Sequence, residues 1–196
     1  MCKESVRNVK RQYRNAERSR RMIRRAYVEL LETRDRASVT VVDIAERADL
    51  SRNTFYAHYH DIDELTEEIQ DDFLLRLRAY LDEAMEEEQF DDPLPLLNRI
   101  GEFIETNRAV NTVLIAQSDS SAFLDKLKNE FVARTMVNVD ETLVADIEGT
   151  RRFLCFLAEG AVGMYRRYLM GELDVDMSEL SRQLRDIYMA GIKLYQ

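Results

Sequence analysis

The sequence predicts an all-α protein, and two features of its composition predict it. The chain has 196 residues but only six Gly and two Pro. These two residues are frequent in the turns between strands and in irregular loops, so their scarcity favours helices. Apolar residues make up 45% of the chain, and they recur at helical spacing over long stretches. A chain of this length can therefore bury a helical core, either as one domain of ordinary size or as two small ones.

The sequence also predicts a cytoplasmic protein. Its apolar runs are only a few residues long, far short of the roughly 20 that a membrane span needs. The first residues lack the apolar segment of a signal peptide. Cys2 and Cys155 are far apart and form no CxxC pair, so neither a disulfide framework nor a zinc site is expected.

Charge is divided unevenly along the chain, and the overall net charge of −9 hides this. Residues 1–60 carry 14 basic and 8 acidic side chains, whereas residues 61–196 carry 14 basic and 29 acidic ones. Five arginines crowd together between Arg18 and Arg25, a pattern that fits phosphate binding. A solvated helix face explains the same cluster equally well.

The first helix is predicted from about Ala16 to Leu31, with Ile23 and Tyr27 on its apolar face and arginines on the other. Residues 1–15 before it are basic and could form an N-terminal arm that reaches along the minor groove of DNA. The alternative, which is slightly favoured, is a disordered terminus with no role.

Two short helices follow. Thr40 and Asp43 have the spacing of a capping box for a helix that ends near Ala48. Ser51 can cap the next helix, which is predicted to extend to Tyr59. A basic helix followed by two short helices and a turn is the layout of a helix-turn-helix, which we assign to residues 16–60.

The second short helix has the composition of a surface that reads DNA. Arg52 can pair with guanine, Asn53 with adenine, and the edge of Tyr56 can meet a thymine methyl group. No acidic residue lies between Asp49 and Asp61, where a carboxylate would repel phosphate. Thr54 and the capped amides suit a phosphate. The predicted DNA-binding residues are Thr40, Ser51, Arg52, Asn53, Thr54, Tyr56 and His58.

These residues resemble the N-terminal domain of the TetR family of transcriptional regulators. The resemblance rests on the ordered series Thr40, Ile44-Ala45, Ala48, Leu50-Ser51, Thr54-Phe55-Tyr56, His58-Tyr59 and Asp63-Glu64-Leu65. It implies an all-helical homodimer that binds a near-palindromic operator and usually represses until a small ligand binds. It also implies that Arg52 and Asn53 contact bases, that Thr54 and His58 contact the backbone, and that Tyr56 contacts either.

Two positions depart from the pattern of that family. Asp49 stands in the turn where the family usually has Gly, although Asp tolerates the left-handed conformation better than most residues. Ile62 stands where the family commonly has a Lys that holds a phosphate. The arginines of the first helix must then supply more of the phosphate affinity.

Residues 61–196 are predicted to form a larger helical domain for effector binding and dimerisation, which brings the total to about nine helices. A long helix begins at Asp61, with Glu64 as its capping partner, and passes Leu81. Residues 89–95 break it, Asp92-Pro93 starts the next helix, and further helices are predicted near 109–117 and 120–137. Aromatic residues here could line an effector pocket or form plain core. The effector candidates are Phe73, Tyr80, Phe103, Phe123 and Phe131.

The last two helices are predicted to form a dimer interface. The stretch 153–165 is apolar nearly all round, as in a helix buried on more than one side, and Asp176 and Glu179 can cap the final helix. In a TetR-like protein these helices pair with their copies as four helices, while a monomer core is the alternative. The predicted interface residues are Phe153, Phe156, Leu157, Gly160, Met164, Leu184, Ile187 and Tyr188.

Other classes of function are less well supported. The chain has no Gly-rich phosphate loop, no metal-ligand spacing and no evident Ser, His and acid set, so we expect no enzyme, catalytic residue, cofactor or metal. His58 and His60 lie on different helix faces. The main alternative is a helical adaptor that binds a protein through the helix-turn-helix. The predicted partners are a double-stranded DNA operator, an unknown small-molecule effector and a second copy of the chain, with no membrane.

Overall fold

A computed structural model of the chain describes residues 2–86, 92–116, 121–137 and 146–194. Within these ranges the chain forms nine α-helices and no strand, which confirms the predicted fold class. The helices are α1 Cys2–Leu31, α2 Val41–Arg47, α3 Arg52–Tyr56, α4 Ile62–Glu86, α5 Leu94–Thr106, α6 Arg108–Asn111, α7 Ser121–Val137, α8 Ile147–Leu169 and α9 Met177–Ile192. Among the described helices, none combines the length and apolar character that crossing a bilayer requires.

The chain divides into two compact units, Met1–Asp72 (unit 1) and Phe73–Gln196 (unit 2). The division falls inside α4, whereas the sequence places it at residue 60. The first half of α4 packs in unit 1: the Tyr27 hydroxyl lies 2.9 Å from the Thr66 hydroxyl, and Leu65 is fully buried. Helix α4 has buried residues in both units. A boundary placed at the start of a helix therefore does not coincide with the division after Asp72.

Helix α1 is longer than predicted, because it begins at Cys2 and not near Ala16. Residues 2–15 contain neither Gly nor Pro and can therefore continue the helix without a break. The predicted arm is thus helical in its backbone. The predicted apolar face is buried, with Ile23 at 0% and Tyr27 at 2% exposure.

Helices α2 and α3 have the predicted caps. The Thr40 hydroxyl accepts from the Asp43 amide and the Asp43 carboxylate accepts from the Thr40 amide, which is a complete capping box. Ser51 Oγ accepts from the Thr54 amide at 3.1 Å. Helix α3 ends at Tyr56, earlier than the predicted Tyr59.

Helix α4 begins beside the predicted acidic pair. Asp61 Oδ1 accepts from the Glu64 amide at 2.8 Å. The Glu64 carboxylate accepts in return from the amide of His60, one residue before the cap, at 2.5 Å. Backbone donors on both sides of the helix start are thereby satisfied.

In unit 2, α5 begins at Leu94, one residue after the predicted Pro93. The Asp92 carboxylate accepts from the Leu94 amide at 2.9 Å and from Arg185 of α9 through two hydrogen bonds of 3.0 and 2.9 Å. Arg185 holds the pKa of Asp92 below its ordinary value. Residues 89–91 of the predicted break lie outside the described residues.

Polar side chains support several helix ends of unit 2. The Asn111 amide is 1% exposed and donates to the carbonyls of Phe103 and Ile104 at the end of α5. A π-helical segment, Thr112–Ala116, follows α6. Asp146 caps α8, and Asp176 caps α9 as predicted.

The predicted burial of α8 on more than one side is not reached within the single chain. Leu154, Ala158 and Tyr165 are buried on one face, but Phe156 is 68% exposed. A methyl group added at Gly160 would meet nothing within 4 Å. The helix is therefore buried on one side only, because the neighbouring helices of the same chain cover only part of its apolar surface.

Candidate nucleic-acid interface and ligand cavity

Helix α3 separates its residues into an inner and an outer set. Phe55 and Tyr59 are buried at 0% and 1% exposure, which anchors the helix in unit 1. The side chains of Arg52 and Asn53 are exposed, and Tyr56 is 57% exposed. The five-residue helix therefore presents a cation, an amide and a phenol to solvent, with no acidic residue in its first turn.

The hydroxyl residues of the predicted interface are engaged in local hydrogen bonds. Ser51 Oγ lies 2.9 Å from Thr54 Oγ1 in addition to capping the helix. The Thr40 hydroxyl donates to the Asp43 carboxylate. His58 is half-buried behind α3. Thr40 and Ser51 are thus exposed residues with a structural role, and their contact with DNA stays a prediction.

Some arginines of the α1 cluster form ion pairs with carboxylates and others do not. Arg24 pairs with Asp72 of α4 at 2.6 Å, and Arg25 pairs with Glu29 at 2.7 Å. Arg18, Arg20 and Arg21 are exposed and make no ion pair with any residue that the structure describes. These three side chains could therefore bind phosphates without first breaking an ion pair within this part of the chain. The charge of Arg20 also acts on the Tyr59 phenol, where it partly offsets the rise in pKa.

Ion pairs also connect the helices of unit 1. Glu29 accepts from Arg47 of α2 at 2.8 Å as well as from Arg25, and these two arginines lower its pKa. Arg34 binds Asp43 at 2.9 Å. The phenol of Tyr59 donates to Glu68 of α4 at 3.1 Å. Burial, followed by the nearby Glu68 carboxylate, raises the pKa of Tyr59, so this phenol stays a donor.

Unit 2 contains an apolar cavity of about 70 Å³. A single water molecule needs about 10–15 Å³ of such space, so the cavity admits more than one. Five elements of unit 2 line it: α4, α5, the π-helical segment, α7 and α8. The lining residues are Phe73, Leu77, Leu81, Leu97, Ile100, Phe103, Ile104, Ile115, Leu127, Lys128, Phe131, Ala158, Ala161, Val162 and Tyr165.

Three of the predicted effector residues, Phe73, Phe103 and Phe131, line this cavity. Tyr80 and Phe123 do not line it, but they support rings that do. The Tyr80 ring lies 5.5 Å from Phe103 and the Phe123 ring 5.7 Å from Phe73, between centroids. The cavity is therefore surrounded by a connected group of aromatic rings.

The sequence analysis missed Tyr165 as a cavity residue. Its hydroxyl is buried, and it has no hydrogen-bond partner among the described residues. Burial raises the pKa of Tyr165. Tyr165 follows Ala158 and Ala161 by seven and four residues on one face of α8. A phenol on a face of small side chains was the signal that could have identified it.

The predicted dimer residues have different environments in the single chain. Phe156 and Ile187 are 68% and 52% exposed, whereas Leu184 is buried. The Phe153 ring packs against Tyr188, with 6.2 Å between centroids. Exposed apolar side chains on α8 and α9 therefore lie beside the core between these helices.

Comparison with known proteins confirms the resemblance to the TetR family. Residues 23–69 match the model of the family described as "Bacterial regulatory proteins, tetR family". This match covers α2, α3 and parts of α1 and α4. None of the curated proteins matches the sequence.

Solved structures extend the likeness to the whole fold. The fatty acid degradation regulator FadR from Bacillus halodurans has a TM-score of 0.67 and 15% identity, over 91% of this chain and 97% of its own. A TetR transcriptional regulator from Streptococcus agalactiae 2603V has a TM-score of 0.59 and 20% identity, over 91% and 98%. The dihydroxyacetone kinase operon activator DhaS has a TM-score of 0.58 and 15% identity, over 91% and 98%. The chain therefore has the fold of TetR-family regulators.

Proposed function

From the TetR-type sequence of residues 23–69, we propose that this chain is a DNA-binding transcriptional regulator. It binds a near-palindromic operator as a homodimer, represses transcription there, and is released by a small-molecule effector bound in unit 2. It acts in the cytoplasm and has no catalytic role, cofactor or metal.

The outer surface of α3 is the observation that carries this proposal. Arg52, Asn53 and Tyr56 are exposed together on a helix whose inner residues are fully buried. The N-terminal residues of a recognition helix meet base edges, and these side-chain types can pair with guanine, adenine and thymine. The exposed arginines Arg18 and Arg21 of α1 add cations for the phosphate backbone.

A second copy is needed for specificity, because a five-residue helix reads only a few base pairs. Two-fold symmetry uses the same surface twice, on half-sites about one helical turn or more apart. We assign the dimer contact to the exposed apolar side chains of α8 and α9, including Phe156 and Ile187.

Helix α4 offers a route by which an effector could act. Its first half binds α1 through Thr66 and Asp72, and its second half supplies Phe73 and Leu77 to the cavity of unit 2. An effector that shifts the second half of α4 would tilt its first half. The distance between the two α3 helices of the dimer would then change. Binding to both operator half-sites requires a fixed distance between the α3 helices, so a small shift of α4 is enough to weaken operator binding.

The test is a titration of the purified protein onto the DNA upstream of its own gene, at low and moderate salt. We expect two protomers per site and a steep fall of affinity with salt, because neutralised phosphates release counterions. Arg52→Ala should weaken binding about 5- to 100-fold, which corresponds to the loss of one good base contact. Tyr56→Ala should weaken it as well.

Arg182→Ala is the matched control, because Arg182 is an exposed arginine of unit 2 that pairs with Glu179. It should bind the same DNA as the unchanged protein does. Failure to bind upstream or genomic fragments at any salt would contradict the proposal and favour the helical adaptor. Equal binding by the Arg52→Ala variant would remove α3 as the reading surface.

A further inference from the structure

The cavity of unit 2 has an almost wholly apolar wall, and one of its lining residues, Tyr165, carries a buried hydroxyl. Its lining residues are aliphatic or aromatic apart from Lys128, and Tyr165 is the one among them that carries a hydroxyl. That hydroxyl is buried without a hydrogen-bond partner among the described residues. An unpaired buried hydroxyl destabilises a protein, so it points to a group that would pair with it.

Lys128 does not make the cavity a site for anions. Its ammonium nitrogen lies 2.8 Å from Asp125 and 2.7 Å from Glu159, and both carboxylates are mostly exposed. The two carboxylates raise the pKa of Lys128, so the ammonium stays charged and bound to them. The side chain therefore lends its methylene groups to the wall while its charge is directed to the surface.

The charge balance at Lys128 also disfavours an anion. One ammonium with two carboxylates leaves a net negative charge beside the cavity. None of the other lining residues is cationic. The Tyr165 hydroxyl is neutral near pH 7, as a tyrosine ordinarily is, and burial raises its pKa further, so it is available as a donor.

We propose that this cavity binds a neutral, mostly apolar small molecule with one hydrogen-bonding oxygen, and that the Tyr165 hydroxyl donates to that oxygen. A ketone, ester, ether or alcohol has the required chemistry. The inference rests on the proposed function, since it names the class of effector that unit 2 would take.

The test compares two probes with the same six-carbon chain, neutral 2-hexanone and anionic hexanoate. Their binding to the full chain without DNA is measured by ligand-observed NMR titration. We expect 2-hexanone to bind at least tenfold more tightly than hexanoate. It should bind about 5- to 10-fold more weakly to Tyr165→Phe, since that variant loses one hydrogen bond and keeps the ring.

Tyr168→Phe is the matched control, because Tyr168 lies on the same helix, outside the cavity lining and beside Arg108. This variant should bind 2-hexanone as the unchanged protein does. Without ligand, Tyr165→Phe should melt at the same temperature as the unchanged protein or higher, since no hydrogen bond is lost.

Three results would overturn the inference: equal binding of 2-hexanone to Tyr165→Phe and the unchanged protein, binding of hexanoate as tight as that of the ketone, or no binding of 2-hexanone up to its solubility limit. A lower melting temperature of unliganded Tyr165→Phe would do so too, because it would reveal a partner for the hydroxyl. The operator titration tests the proposed function separately. Loss of operator binding would leave the ligand result standing, and a negative ligand result would leave operator binding standing.

Discussion

At position 49 the backbone enters the left-handed region, with φ of 53°. Asp49 lies in the turn between α2 and α3, so this conformation helps to set the direction in which α3 leaves the turn. This conformation is energetically unfavourable for an L-residue, although less so for Asp than for most other residues. The residue type is therefore tolerated here and is not optimal for stability.

Replacing Asp49 by Gly should raise the free energy of unfolding by up to about 1 kcal/mol, because Gly adopts positive φ without steric cost. Glu46→Gly is the matched control, since Glu46 is an exposed acidic residue within α2. That change should lower the free energy of unfolding by about 1 kcal/mol. Urea unfolding followed by circular dichroism measures both. A destabilised Asp49→Gly protein would contradict the strain argument.

The capping box of α2 predicts a pH dependence. Hydrogen bonds from Thr40, followed by the one from Arg34, lower the pKa of Asp43 from 3.8 to about 2. The folded state therefore favours the carboxylate, and this stabilisation is fully present above the unfolded pKa and is lost as pH falls through the folded one. The stability difference between the unchanged protein and Asp43→Asn should be constant above about pH 5 and shrink between pH 4 and 2.

Urea unfolding at a series of pH values measures this difference. Thr40→Ala should reduce the pH dependence more than Arg34→Ala does, because the bonds from Thr40 are the larger cause of the low pKa. A difference that does not change with pH would show that Asp43 has the same pKa in the folded and unfolded chain.

At the scale of elements, local signals were sufficient at four helix starts, where both partners lie within one turn. The caps at Thr40, Ser51, Asp61 and Asp176 could be predicted because each depends on residues three positions apart. The start of α1 could not, because residues 2–15 lack a cap or a breaker that marks it.

The cavity depends on long-range packing, and the sequence predicted it only in part. Aromatic residues on α4, α5 and α7 could be named as candidates from their helical spacing. Which of them face a common space depends on how five elements pack, and Phe123 and Tyr80 proved to support the lining rings. Tyr165 stayed hidden in an apolar stretch, because its missing hydrogen-bond partner is visible only in three dimensions.

The outward face of α8 and α9 carries a prediction about assembly. Phe156 and Ile187 are large apolar residues that remain exposed in the single chain. If a second copy covers them, Phe156→Glu and Ile187→Glu each bury an unpaired carboxylate and should raise the dimer dissociation constant by about 100-fold or more. Sedimentation at several protein concentrations measures the change.

Val137→Glu provides the control for this experiment, because Val137 is also an exposed apolar residue but lies at the end of α7. Its dimer should dissociate at the same concentration as that of the unchanged protein. Dimers of undiminished stability in both the Phe156 and the Ile187 variant would exclude this face as the interface.

At the scale of the whole molecule, α4 is the element that belongs to both units. Thr66 and Asp72 contact α1, while Phe73, Leu77 and Leu81 line the cavity of unit 2. In the mechanism proposed above, coupling between operator and effector would be reciprocal. An effector that weakens operator binding by a given factor would itself bind more weakly, by the same factor, to the operator-bound protein. Coupling that runs through α4 requires the helix to stay rigid between these two sets of residues.

Weakening α4 at exposed positions should therefore uncouple the two sites without removing either. Asp71 and Leu75 are both exposed, and the double change Asp71→Gly with Leu75→Gly should destabilise the helix locally by about 2 kcal/mol while leaving the buried contacts in place. The matched control replaces both residues by Ala, which removes the same side chains and keeps the helix stiff. Operator titrations with and without saturating 2-hexanone measure the coupling. In the Ala variant, 2-hexanone should change operator affinity as much as it does in the unchanged protein. In the Gly variant most of this change should be lost, although the operator and 2-hexanone should each still bind when the other is absent. An equal change in the two variants would mean that the signal does not pass along α4.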